Sequence, residues 1–287
     1  MNGILIINKP QNYTSRDVVN KVSKILNTKK IGHTGTLDPI ARGVLVLCIG
    51  TSTKLVEILT CDEKEYVAEA TLGVKTDTLD STGSVLEKRK VNVSREEIVK
   101  VLNSMIGNYN QEVPIYSAVK INGRKLYEYA RSNISVELPK REVEIKKIEL
   151  LDEIKYENDK VIFKFKCLVS KGTYIRSLIR DIANKLNTIG IMSNLIRTKQ
   201  GKFLIENSYK IEDIENGNFK ILNMLDCLDG YLIVDVDETL RLKIKNGSIL
   251  QNRYDKDIVA FKYNNALIAI YKVYEKDVSK LKPWKIF

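Results

Sequence analysis

The chain has 287 residues, 44% of them hydrophobic, enough apolar mass for a sizeable core and, at this length, for two domains. Its formal net charge of +11 favours a polyanionic partner, either nucleic acid or an anionic membrane surface. No apolar run reaches the roughly 18 residues of a membrane span, and the run in MNGILIINKPQNYTS is too short for a signal peptide, so a cytoplasmic protein is expected.

Residues 3–8, GILIIN, read as a buried strand that Lys9-Pro10 ends. Thr14-Ser15 can cap a helix running through Asp17, Val18, Val19, Val22, Ile25 and Leu26. Residues 43–49, GVLVLCI, read as a second buried strand, and between these elements lies the loop GHTGTLDP at 32–39. Residues 65–74 alternate as a strand does, and residues 94–106 read as a helix with Ser94 and Glu97 in capping-box spacing. Residues 119–147 carry a net charge of +4. Residues 161–169, VIFKFKCLV, read as a half-exposed strand with lysines on one face, and RSLIRDIANKL at 176–186 as an amphipathic helix. From Tyr231 onward the pattern is short strands with turns; Asn246-Gly247 is a turn signal and Asn264-Asn265 sits as a hairpin turn would. Without a low-complexity linker, a domain of residues 1–229 and a smaller β-rich one of 230–287 are expected to pack together.

The chemistry is narrowed by what is missing. The chain has no phosphate-binding GxxxxGK[ST], no GxGxxG, no HExxH and no GxSxG. Its single histidine, His33, lies five residues before Asp38 in the same loop, which argues against a Ser-His-Asp triad. Cys48, Cys61, Cys167 and Cys227 form no C-x-x-C pair, so they read as free thiols and no structural metal is expected.

What remains is one aspartate in a constrained loop. Gly32 and Gly35 admit unusual backbone conformations, and Pro39 restricts Asp38 to extended geometry. Two readings follow. Asp38 is an Asx turn or a helix N-cap with Pro39 at the first helical position, or it is a carboxylate nucleophile. Three other stretches can serve such a carboxylate. In SKGTYIRSLIRDI, 170–182, Tyr174 can pack on a base and Arg176 can pair with a carboxylate. Tyr66 sits on the strand of KEYVAEATLGVKTDTLDSTG, 64–83, whose Asp77 and Asp80 read as a solvated loop. QEVPIYSAVKINGRKLYEYAR, 111–131, interleaves cations and rings as an RNA-contacting surface does.

In this order and at these spacings, together with GILIINKPQNYTS and LIRTKQGKF at 195–203, the stretches resemble the TruB family of tRNA pseudouridine synthases across almost the whole chain. Departures from the family pattern are Asn8 for an acid, Asn12 for a glycine, Val113-Pro114 for a proline pair, and Ile196 where a second arginine is common.

The resemblance implies an α+β pseudouridine synthase fold, with a mixed, mainly antiparallel central sheet flanked by helices, and a small PUA-like C-terminal domain. It implies Asp38 as nucleophile and His33, Tyr66, Tyr174, Arg176 and Leu195 around the target uridine. His33 would take part in flipping, Tyr66 in stacking, Arg176 in pairing with the carboxylate, and Leu195 in an apolar wall. Lys9, Lys120, Arg124, Lys125, Arg131 and Arg197 are assigned as RNA contacts, and 119–147 as a mobile thumb. The implied reaction isomerises uridine 55 in the TΨC loop of tRNA without cofactor, metal or guide RNA, in a monomer with no membrane partner. Whether Asp38 attacks the sugar or promotes loss of its 2′-proton stays open. A guide-dependent synthase and an RNA chaperone that no longer catalyses are the alternatives.

Overall fold

A computed structural model describes residues 1–60 and 63–287; Cys61 and Asp62, and the side chains of 152 and 153, lie outside the described residues. Strand β1 (Gly3–Lys9) is apolar from Gly3 to Ile7 because both its faces are covered. Leu5 and Ile7 face a cluster with Val18, Val19 and Val22 of α1 (Ser15–Ile25). Ile4 and Ile6 face the opposite side. Thr14 caps α1 as expected, in a reciprocal capping box with Asp17. The short β2 (Ile31–His33) and β3 (Arg42–Ile49) pair antiparallel, and the loop 34–41 spans them.

A short α2 (Val56–Leu59) leads into β4 (Lys64–Leu72), which Gly73, at φ +92°, separates from the hairpin of β5 (Val74–Thr76) and β6 (Val85–Lys88). Helix α3 (Arg95–Asn103) starts at the Ser94–Glu97 capping box. Edge strand β7 (Gly107–Glu112) is followed by a projecting segment with β8 (Lys120–Ile121), β9 (Arg124–Lys125) and α4 (Leu126–Arg131). Then come β10 (Lys140–Glu157), β11 (Lys160–Val169), α5 (Ile175–Lys185), β12 (Gly190–Gln200), β13 (Phe203–Leu204) and α6 (Ile211–Glu215).

Seven strands run in the order β1-β3-β12-β4-β11-β10-β7, with β2 attached to β3 and β13 to β12. Every pairing in this sheet is antiparallel except β3 with β12. The fold is therefore α+β with a mixed, mainly antiparallel sheet. On β11, Val161, Phe163, Phe165, Cys167 and Val169 point into the core and Lys164 and Lys166 away from it, as their alternation predicts. Helices α3 and α5 close that core with Ile98, Leu102, Leu178, Ile179 and Ile182.

The remaining elements are β14 (Leu232–Asp235), α7 (Glu238–Lys245), β15 (Leu250–Gln251), β16 (Ile258–Tyr263), β17 (Ala266–Tyr274) and β18 (Asp277–Ile286). The strands form a second sheet, β14-β16-β17-β18-β15. Asn264 and Asn265 both adopt positive φ, 48° and 57°, as a tight hairpin turn between β16 and β17 requires. The sheet shares a core with the first: Ala260, Leu267 and Ile270 pack among Ile4, Ile6, Val44, Val46 and Cys48. Lys285 Nζ reaches Glu57 Oε2 at 2.8 Å across the same contact.

Two expectations are corrected. Asn246-Gly247 is a turn, as its sequence signals, but it follows helix α7, with Gly247 at φ +71°, in a stretch expected to hold only short strands and turns. The thumb read from sequence as 119–147 also overruns. Residues 140–145 are paired into the sheet, from Lys140 opposite Glu112 to Ile145 opposite Gly107. The Val113 N–H donates to the Pro139 carbonyl at 3.0 Å and closes the base of the projection, so the segment free of the sheet lies between them.

Candidate active site

Asp38 is neither an Asx turn nor a helix cap. Its carbonyl accepts from the Ala41 N–H at 3.0 Å, forming a β-turn with Pro39 second, where proline's fixed φ belongs. No helix follows. The carboxylate instead meets Arg176, whose Nε lies 2.9 Å from Asp38 Oδ2. Arg176 comes from the first turn of α5 and is 5% exposed, whereas the Asp38 side chain keeps 34% of its surface open. The guanidinium is oriented by two backbone carbonyls, Thr78 O and Tyr116 O, each accepting at 3.0 Å. A planar donor fork held by two carbonyls presents its Nε edge to the carboxylate.

Tyr66 and Leu195 are on adjacent central strands and join Leu37, Ile40 and Ala41 in one apolar cluster beneath the loop. Tyr66 is 6% exposed, and its phenol is pushed up by burial, against the pull of the Arg197 guanidinium. His33 is half-buried; burial first, then the charges of Arg16 and Arg197, push its pKa down and favour the neutral ring. Its Nδ1 is buried and has no partner among the described residues. Tyr174, half-buried, immediately precedes α5. The structure thus joins Asp38 to Arg176 and sets Tyr66 and Leu195 in the apolar cluster of Leu37, while His33 starts the same loop and Tyr174 lies two residues before Arg176.

Two cations assigned to RNA are elsewhere. Lys9 and Arg197 are both 0% exposed and offer no charge at the surface. Lys9 Nζ donates to the Pro10 and Tyr13 carbonyls at 2.9 and 2.6 Å. Burial pushes its pKa down to about 8, opposed by the nearby Asp38 carboxylate. Arg197 donates to Val44 O at 2.7 Å and Gly35 O at 3.1 Å, and lies 3.5 Å from Thr36 O. Its guanidinium also meets the Tyr66 hydroxyl. These two cations hold backbone because the interior leaves them no water to turn to. Lys120 and Arg131 are exposed on the projecting segment, while Arg124 and Lys125 are half-buried there. Arg124 stacks 5.0 Å from the Tyr129 ring, and Lys125 and Arg131 each lie 5.4 Å from Tyr127.

Sequence reasoning missed the rest of the mount. Ser15 accepts from the Leu37 N–H at 2.9 Å and donates to Leu37 O at 3.3 Å. Buried Gln200 donates to Thr34 Oγ1 at 2.5 Å. The Asn12 N–H donates to Pro39 O at 2.8 Å. Asn12 stands at φ +67°, so asparagine replaces the family's glycine in the left-handed region that it tolerates best after glycine. Asp80, read as part of a solvated loop, is 5% exposed, with Oδ2 3.9 Å from Arg176 Nη1. Thr78 and Thr82, either side of it, donate hydroxyls to its carboxylate at 2.8 and 2.6 Å. The T-x-D-x-T spacing was the only signal available for a fixed carboxylate. Among the described residues, no cluster of three or more His, Cys, Asp or Glu side chains could hold a metal, and no helix is long and apolar enough to cross a membrane. A cavity of about 500 Å³ lined by Ile6, Lys202, Phe203, Tyr209 and Lys220 includes none of the site residues.

The fold is shared with solved structures. A Cbf5-Nop10-Gar1 complex matches with a TM-score of 0.70 at 26% identity, over 99% of this chain and 83% of that one. An H/ACA ribonucleoprotein bound to a substrate RNA containing 2′-deoxyuridine matches in fold with a TM-score of 0.71 at 24% identity, over 99% and 84% of the two chains. Residues 23–175 match the family model described as TruB family pseudouridylate synthase, N-terminal domain. That segment contains His33, Asp38, Tyr66 and Tyr174, so the sheet and its loop define a pseudouridylate synthase. A tRNA pseudouridine synthase B of Bacillus licheniformis is 43% identical over 99% of this chain and 97% of its own. One of Bacillus subtilis is 41% identical over 100% and 97%. The chain belongs to the TruB family.

Proposed function

We propose that this enzyme converts uridine 55 in the TΨC loop of tRNA to pseudouridine without a guide RNA, with Asp38 as the nucleophile. Support comes from relatives 43% and 41% identical, named for tRNA, and above all from one contact. Arg176, itself held by two carbonyls, directs Nε at a part-exposed Asp38 carboxylate from 2.9 Å.

The reaction breaks the C1′–N1 bond, turns the ring, and joins C1′ to C5; C5 then loses its proton and N1 ends protonated. The uridine must leave its stack, at a cost of a few kcal/mol. Stacking on Tyr66 returns about 1–3 kcal/mol, with Tyr174 and Leu195 bounding the ring. His33, neutral and without a partner at Nδ1 among the described residues, fills space left by the flipped base and adds no charge. Asp38 then acts at C1′ or on the 2′-proton, and Arg176 holds the carboxylate in place from 2.9 Å. The projecting segment between Val113 and Pro139 serves as the thumb on the RNA, through Lys120, Arg124, Lys125 and Arg131. The unit beginning near residue 230 serves as a PUA-like RNA-binding domain.

An unmodified T-arm hairpin incubated with the purified protein alone tests the reading. Pseudouridine, mapped by carbodiimide adducts, should form at a single uridine, and Asp38→Asn should lower the rate below detection. Full activity in that variant would remove Asp38 from the chemistry. A requirement for added guide RNA would instead place the enzyme with guide-dependent synthases. An inactive wild type that still refolds tRNA would make it a chaperone.

A further inference from the structure

Arg176 can serve Asp38 only if the start of α5 is fixed, and that start has no ordinary cap. Tyr174, the residue before the helix, makes no capping bond through its side chain. The place of a cap is taken by Gln111, on edge strand β7 and 1% exposed. Its Oε1 accepts the Tyr174 N–H at 2.7 Å and its Nε2 donates to the Tyr174 carbonyl at 3.1 Å. One side-chain amide thus pairs with both polar backbone groups of a single residue, as a neighbouring strand would. Tyr174 is held at φ −100° and ψ 115°, and Arg176 follows two residues later.

Gln111 is itself anchored. Nε2 also donates to the Tyr109 hydroxyl at 2.6 Å, and that hydroxyl lies 3.4 Å from Asp181 on α5. All three polar contacts of a buried amide are therefore made, which fixes which end is oxygen and which nitrogen. The strand that carries Gln111 continues directly into the projecting segment, whose Tyr116 carbonyl is one of the two carbonyls that hold the Arg176 guanidinium. A second bond, from Ser177 Oγ to the Glu112 carbonyl at 2.8 Å, ties the same strand end to α5 one residue beyond Arg176. That bond carries no backbone constraint on Tyr174.

We propose that Gln111 is a positioning residue for pseudouridine formation, setting Tyr174 and Arg176 against Asp38 through its two bonds to the Tyr174 backbone. The proposal rests on Asp38 as the reacting carboxylate. A misplacement of about 1 Å at a reacting group can cost about 100-fold in rate, and a buried amide lost from one side leaves two backbone groups of Tyr174 with fewer partners.

The test uses the full chain, a T-arm hairpin, and single-turnover rates at saturating enzyme, with RNA affinity from filter binding and stability from urea unfolding. Gln111→Met keeps the volume and removes both bonds. The expected result is a single-turnover rate lowered about 100-fold with RNA affinity changed less than about threefold, as for a positioning loss. Gln111→Glu keeps the acceptor for the Tyr174 N–H and should recover part of that rate. Ser177→Ala, which loosens the same helix without touching Tyr174, should stay close to wild type in rate. Equal rate losses in the Met and Ala variants at equal stability, or a loss confined to RNA affinity, would overturn the proposal. Wild type and Asp38→Asn are run beside them: an active Asp38→Asn protein or an inactive wild type overturns the underlying reading as well. An active wild type with a dead Asp38→Asn and a fully active Gln111→Met overturns the Gln111 role alone.

Discussion

Lys9 is an ammonium with no exposed surface, held by two carbonyls within four residues of its own position. Its pKa in the folded chain is pushed down to about 8 from the ordinary 10.5, by burial first and by Arg197, against the opposing carboxylates of Asp38 and Asp17. The unfolded chain therefore holds a proton between pH 8 and 10.5 that the folded chain releases. Stability contributed through Lys9 rises with pH across that window, and the full cost of a buried cation is present below it. Urea unfolding at pH 7.5 and 9.5 should show a gain for wild type relative to Lys9→Met; equal slopes for the two would contradict the assignment. Gly43 makes the companion point for backbone. It stands at φ +105°, and a Cβ there would overlap the carbonyl oxygen of Arg197. Side-chain identity in the sequence told that these residues were special in the family pattern. It did not tell that Lys9 and Arg197 point inward, because a cation in a motif looks the same whether it meets RNA phosphate or carbonyl oxygen.

Elements were legible where local chemistry was redundant. The Ser94–Glu97 and Thr14–Asp17 boxes set the starts of α3 and α1, and alternation on β11 set its inner face. Helix α7 was not legible, because LRLKIK alternates apolar and basic as a strand would. What overrides the alternation is Asp237, whose carboxylate accepts the Leu240 N–H at 2.7 Å, and the Glu238–Arg241 pair one turn along. Asp237→Ala should cost about 1 kcal/mol of stability and leave single-turnover activity on a T-arm hairpin unchanged. Thermal unfolding and the same assay check both. The thumb limits failed for a different reason. The basic run from 119 to 147 crosses a structural boundary at Pro139, and net charge is positive on both sides of it.

At the scale of the whole molecule, the two sheets are joined by burial. Ile4, Ile6, Val44, Val46, Cys48, Leu55, Ile58 and Leu59 share one cluster with Cys227, Leu228, Ala260, Leu267 and Ile270. Burial pushes the thiols of Cys48 and Cys227 up to about 12 each, so they behave as packing groups and resist oxidation. Fully burying a side chain of this kind contributes about 1.5–3 kcal/mol. Removing residues 230–287 should therefore expose an apolar face of the catalytic sheet. The shortened chain is expected to bind a hydrophobic dye and to aggregate at concentrations where the full chain is monodisperse. A soluble, fully active fragment ending at Asp229 would show that the second unit is dispensable to the first.

By itself the sequence determined the reactive inventory: one loop aspartate, one arginine able to pair with it, two tyrosines, and a basic projecting segment, in an order that identified the family. Local rules also determined most helices and strands, because caps, turns and alternation act over a few residues. Only the tertiary structure decided which polar groups hold the site and which are free to meet RNA. Gln200, Ser15, Arg197, Asp80 and Gln111 are separated from the groups they hold by tens to more than a hundred residues of chain. Their hydrogen bonds exist because the sheet brings distant strands within reach, and no local pattern in the sequence encodes that approach.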